Sequence, residues 1–141
     1  MEPQQAKALI DTAWRAISQC DWDTLETLSH PDAAMRYGAS QRVAGPGGVR
    51  AFFEHYGQNY RLDMRDYHPL VSGDRAAVET RLRLTYHTTK AGFPEARGQF
   101  AVVPFASFIT FRDNLFYRTH LVYSLDDWMR VFDAAPEAQG R

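Results

Sequence analysis

Residues 75–88 read RAAVETRLRLTYHT, with Val78, Thr80, Leu82, Leu84 and Tyr86 on one side and Glu79, Arg81, Arg83 and His87 on the other. A period of two over that length predicts a strand with one buried and one solvated face. Downstream, residues 99–123 read QFAVVPFASFITFRDNLFYRTHLVY. That run predicts a long apolar strand, Gln99–Arg112, a hairpin turn at Asp113-Asn114, and a last strand, Leu115–Tyr123. Pro104 predicts a kink in the long strand, because proline cannot donate to a ladder. Upstream, Ser72-Gly73-Asp74 forms a tight turn from a strand over Asp63–Val71, and residues 90–95 read as a loop. The second half of the chain is therefore an antiparallel sheet.

The first half is helical. Ala6, Leu9, Ile10, Ala13, Trp14 and Ile17 recur at helical offsets and put one apolar stripe on residues 4–19. Asp21 can cap a second short helix with Trp22, Leu25 and Leu28 inside, ended by Pro31. A strand over Ala33–Ala39 follows. Gly45-Pro46-Gly47-Gly48 then opens a third helix, whose Val49, Phe52, Phe53 and Tyr56 face inward and which Gly57 stops. Those glycines lack the spacing of a dinucleotide or phosphate loop, so they read as a plain turn. Ser124 caps a closing helix in the manner of a capping box with Asp127, with Leu125, Trp128, Met129 and Phe132 as its stripe. Residues 1–133 read as one domain, and residues 134–141 as a mobile tail.

Composition narrows the class. The chain has 141 residues, enough for one domain with a real core, and its aromatic share of 13% excludes disorder. A formal net charge of −1, from 16 basic and 17 acidic residues, argues against a partner recognised by bulk charge, whether nucleic acid or membrane surface. The lone Cys20 excludes an internal disulfide and a thiolate-rich zinc site. The five histidines show no ligand spacing, so no metal is expected. The start of the sequence is polar and no window approaches 18 continuous apolar residues, which predicts a soluble, cytoplasmic protein.

Three helices ahead of a sheet of long strands must cover one of its faces. Long strands twist and curl, so helices and sheet enclose a hollow that Trp14, Phe53, Tyr56, Tyr86 and Tyr123 can line. The expected fold class is α+β: a cone-shaped, curved, mostly antiparallel sheet packed on N-terminal helices.

In this order of parts the chain resembles the nuclear transport factor two-like, cystatin-like superfamily, and within it the SnoaL-like polyketide cyclases and their relatives. The resemblance rests on Cys20-Asp21-Trp22-Asp23, His30-Pro31-Asp32, Gly45-Pro46-Gly47-Gly48-Val49 with Phe52-Phe53, Gly92-Phe93-Pro94, and Phe111-Arg112-Asp113-Asn114. It spans residues 6 to 132. It implies a small-molecule pocket and a homodimer through the outer sheet face; the ligand is expected to be a small apolar molecule, and no cofactor is expected. It does not fix one chemistry, because this fold hosts many.

Carried over by position, the resemblance finds the family's working groups replaced. The cyclase acid/base, eight residues past Asp113, falls on Leu121, and the histidine six residues before Asp113 falls on Ser107. The isomerase base, five residues after Asp32, falls on Tyr37, and its acid again on Ser107. If the register holds, the inner face of the last strand carries Tyr117, Thr119, Leu121 and Tyr123. The pocket is then apolar with a few hydroxyls, which orient a carbonyl but make poor bases.

The catalytic candidates are Tyr37, Ser107 and His120. Alternation places His120 with Phe116, Arg118 and Val122 on the outer face, and a one-residue slip would carry it inward as a base. His68 and His87 read as solvated, His55 as lying beside the apolar stripe of its helix, and His30 as structural. Two functional expectations follow. One is a cofactor-independent isomerase, cyclase or lyase moving protons on a ring-containing substrate. The other is a non-catalytic dimeric ligand-binding or assembly domain.

Overall fold

Helix α1, Pro3–Ser18, forms because its stripe has somewhere to go: Ala6, Ile10, Ala13, Trp14 and Ile17 are all buried against the sheet. The computed structural model describes residues 1–38 and 40–137. After α1 come α2 (Trp22–Thr27), β1 (Ser29–Tyr37), β2 (Gln41–Ala44), α3 (Gly45–Gly57), β3 (Tyr60–Asp63) and β4 (Tyr67–Ser72). Then follow β5 (Arg75–Tyr86), β6 (Gln99–Arg112), β7 (Leu115–Val122), α4 (Leu125–Arg130) and a 3-10 turn over Val131–Asp133. Asp21 caps α2 as its sequence implies, accepting from the Thr24 amide at 3.2 Å and the Thr24 hydroxyl at 2.7 Å.

The strands form one sheet in the order β2-β1-β7-β6-β5-β3, with β4 also on β5. Among the described residues only β1 and β7 run parallel; the other pairs are antiparallel. The sheet curls around the helices, giving the expected cone. The inward set on β5 is as the alternation reads: Val78, Thr80, Leu82, Leu84 and Tyr86 are each at most 1% exposed. Asp113 and Asn114 both have positive φ, so the β6–β7 turn is the primed two-residue type that suits strand twist.

Several local expectations are corrected. The strand expected over Asp63–Val71 is two strands, β3 and β4, docked one after the other along the single long β5. The short edge strand β2 is added, and β1 begins at Ser29 rather than Ala33. Strand β6 is unbroken at Pro104. The Arg81 amide donates to the Asp66 carbonyl, so the Pro104 nitrogen faces the β7 side, where β7 has already ended at Val122. On α4, Trp128 is buried but Leu125 and Met129 are 61% and 51% exposed.

The tail expectation also changes. The Ala135 carbonyl accepts from the Phe100 amide at 3.0 Å, Pro136 bridges Gln99, and Glu137 pairs with Arg83 at 2.5 Å. Residues 134–137 are therefore fastened to the sheet; residues 138–141 lie outside the described residues. Among the described residues no helix is long and apolar enough to cross a membrane.

Candidate functional site

Register brings three transferred positions into one row. Ser107 on β6 stands opposite Leu121 on β7, and Leu121 stands beside Tyr37 on β1. Ser107 and Leu121 are buried and face the lumen. Little space remains there: the interior cavity measures about 40 Å³, between Trp14, Phe53, Ser107, Thr119 and Leu121. The Ser107 Oγ has no hydrogen-bond partner among the described residues. Trp14, by contrast, is satisfied, its Nε1 donating to Thr80 Oγ1 at 2.9 Å. Nothing lining this cavity is a carboxylate or an imidazole.

Tyr37 opens instead on a second cavity of about 510 Å³ at the mouth of the cone, with Phe52, His55, Tyr56, Tyr123 and Leu125. The Phe52 and Phe53 rings meet edge to face with centroids 5.1 Å apart, and one ring lines each cavity. Aromatic contacts run around the mouth: Tyr37 to Phe52 at 4.4 Å, Phe52 to Tyr56 at 5.1 Å, Tyr56 to Trp128 at 5.2 Å and Trp128 to Tyr123 at 5.4 Å. Such a ring of π-faces suits a flat ligand. Burial first, then the neighbouring Tyr56 and Tyr37 phenols, raise the Tyr123 hydroxyl above its ordinary range. A phenol held neutral donates a hydrogen bond to a carbonyl and does not act as a base.

The other candidates fall elsewhere. His120 is on the outer face, 3.4 Å from Arg36 Nη2 and opposite Phe108, so it does not join Ser107 or Tyr37 and is no base for the lumen. Tyr86 lines none of these cavities. Its hydroxyl donates to the Pro94 carbonyl at 2.6 Å and accepts from the Lys90 amide at 2.8 Å, which fixes the loop before β6. Tyr117 does line the interior cavity, as expected, with its ring edge-on to His30 at 5.2 Å and covered by Arg112 and Arg118. Phe116, read as outward, packs on Phe111 at 5.0 Å and lines the interior cavity, because a register shift between Thr110 and Phe111 breaks the alternation.

His30 is structural. Its Nδ1 accepts from the Asp32 amide at 2.9 Å, so its Nε2 carries the proton toward Asp113 Oδ2 at 3.2 Å. His55 is the site residue that sequence reading passed over. Gly48, Ala51, Phe52 and His55 stand at offsets 0, 3, 4 and 7 and all line the mouth. That second stripe, adjoining the apolar one on α3, is the signal for it.

A helix-backed curved sheet with an aromatic mouth and a nearly filled throat is the nuclear transport factor two-like fold. The SnoaL-like domain family model matches residues 10–119, and the chain belongs to that family. No curated protein sequence matches it. Among solved structures, a polyketide-cyclase-like protein of Xanthomonas campestris pv. campestris is 28% identical over 92% of this chain and 97% of its own, with a TM-score of 0.84. Another from Silicibacter sp. TM1040 is 29% identical over 90% and 94%, with a TM-score of 0.78. TerC, co-crystallised with polyporic acid, shares the fold at 18% identity over 92% and 99%, with a TM-score of 0.72.

Proposed function

We propose that the chain is a ligand-binding member of the SnoaL-like family. Its ligand is an apolar, ring-containing molecule with a carbonyl or phenol oxygen, held in the mouth cavity by Tyr37, Tyr56 and Tyr123. One observation carries this reading. The row where acid/base groups are expected from the family holds a serine and a leucine around about 40 Å³, while about 510 Å³ of aromatic space lies open at the mouth. Proton transfer in the throat has neither a base nor room for a substrate. The test is a thermal-shift screen of ring ketones and phenols, followed by product analysis. Ligand at 100 times its dissociation constant adds about 2.7 kcal/mol of stability. Stabilisation without turnover, lost in Tyr56→Phe/Tyr123→Phe, supports binding; turnover by that double variant overturns the placement.

A second reading rests on His55. An imidazole on the mouth cavity can take or give a proton near neutral pH, so an isomerase, cyclase or lyase would use it with Tyr123 as the oxygen-orienting donor. Turnover abolished in His55→Gln with binding retained selects this reading. In either case the outer face pairs with a second copy. The strip of Val102, Phe108 and Val122, at 40%, 50% and 47% exposed, supports a homodimer there, to be read by light scattering of the native chain and Val122→Asp.

A further inference from the structure

Helix α3 lines both cavities at once. Successive residues on a helix stand about 100° apart, so Phe52 and Phe53 face different ways, and a cavity lies before each. Val49 and Phe53 line the throat, whereas Gly48, Phe52 and His55 line the mouth. The strands divide at the same level. Met35 and Leu121 line the throat, and two residues beyond each of them Tyr37 and Tyr123 line the mouth.

Between the cavities these side chains form a wall of two layers. Phe52 and Tyr37 meet at 4.4 Å on the mouth side, and Phe53, Leu121 and Phe105 are buried on the throat side. Two contacts lock the layers together. Phe52 meets Phe53 at 5.1 Å, and Tyr123 stacks on Phe105 at 5.6 Å with their planes 19° apart. Opening such a wall forfeits close contacts on both sides, which an entering ligand has to replace. Tyr37, Tyr56 and Tyr123 all line the mouth, so a ligand oxygen is held in front of the wall and not behind it.

We propose that Phe53 sets the size class of the ligand. Backing Phe52, it closes the floor of the mouth, so that a ring compound lies against the Phe52 ring instead of entering the cone end-on. The compounds selected are those of one or two fused rings. The inference rests on the mouth cavity being the ligand site, and adds the shape that the site accepts. A third ring stays in water, and apolar surface that is not removed from water contributes nothing. Removing the Phe53 ring changes this. The space it vacates, added to the about 40 Å³ already in the throat, is on the order of the 150 Å³ apolar cavity that admits benzene. Phe52 then falls back and the mouth deepens by one ring.

The test is fluorescence titration of the full chain with 2-naphthol and 2-hydroxyanthracene, and with phenol by its competition against 2-naphthol. In the native chain affinity should rise by about tenfold from phenol to 2-naphthol and stay within about threefold on adding the third ring. In Phe53→Ala the preference for 2-hydroxyanthracene over 2-naphthol should grow by about tenfold. Phe53→Leu, which keeps a fuller core, should shift it the same way by less, and melting curves verify that the variants fold. A gain from the third ring in the native chain equal to that from the second overturns the wall and leaves the mouth as the site. An unchanged preference in both folded variants overturns the role of Phe53 alone. Failure of all three probes to bind the native chain overturns the mouth reading itself, and this inference with it.

Discussion

Ser107 and Leu121 face each other across the β6–β7 ladder, both turned into the throat of the cone. Thr80, also buried, provides the comparison, since its hydroxyl accepts from Trp14 Nε1 whereas the Ser107 hydroxyl has no partner. Ser107→Ala should therefore leave stability within about 0.5 kcal/mol of the native chain or raise it. Thr80→Val strands the indole N–H and should cost about 1–3 kcal/mol. Urea denaturation of both variants checks the order, and a larger loss from Ser107→Ala would show that its hydroxyl is bonded after all.

Helix α3 touches α2 through a position with no room to spare. A Cβ at Gly57 would stand 2.8 Å from Trp22 Cζ2. Gly57→Ala must push the indole aside and should destabilise by about 1–3 kcal/mol. A melting temperature equal to that of the native chain would mean that the Trp22 ring yields freely.

At high pH the buried phenols set the response. Burial first, then the nearby Tyr86 and Tyr56, push Tyr60 up to about 12; burial, then Asp11, push Tyr67 up to about 12. In the unfolded chain these groups ionise near pH 10. Their folded values are raised, so their contribution is whole below pH 10 and falls as pH rises toward 12, because the unfolded state sheds protons first. Stability measured across pH 9 to 12 should decline, with Tyr60→Phe flattening the slope. Tyrosinate absorbance that rises to its full value before unfolding would contradict this.

At low pH the sign reverses. Burial opposes ionisation of Asp63, but hydrogen bonds from the Arg65 side chain and amide outweigh it and hold the carboxyl below its ordinary range. Its stabilisation is whole above about pH 3.9 and is lost as pH falls through the depressed folded value. Asp63→Asn should make the acid limb of stability shallower and leave its plateau flat, as followed by circular dichroism.

Much of this was legible in the chain. The alternation through β5 identified the lumen side from Val78 to Tyr86, and carrying it to β7 put His120 outside. Phe116 escaped because the register shift beside Phe111 breaks a strict period of two, and Gln41–Ala44 is too short and polar for its pairing with β1 to show as a pattern. Leu125 and Met129 fit a helical stripe, yet α4 has only six residues and turns its Trp128 side to the core. The site was half visible. Tyr37, Tyr56 and Tyr123 were named, but no sequence rule shows that Phe52 and Phe53 line separate cavities, so the working space was sought in the throat.

The parallel ladder between β1 and β7 joins Ala34 to Arg118 and Tyr37 to Leu121. On the ribosome, β1 must therefore wait until residues 115–122 have been made before its central neighbour exists. Until then the Met35 and Tyr37 side has no sheet to complete, and the nascent N-terminal helices have half a floor. Such non-local closure is slow and leaves a strand edge exposed to other chains in the meantime. The cone cannot close before β7 is made, and a ribosome stalled before residue 115 would release an adhesive fragment rather than a smaller cone.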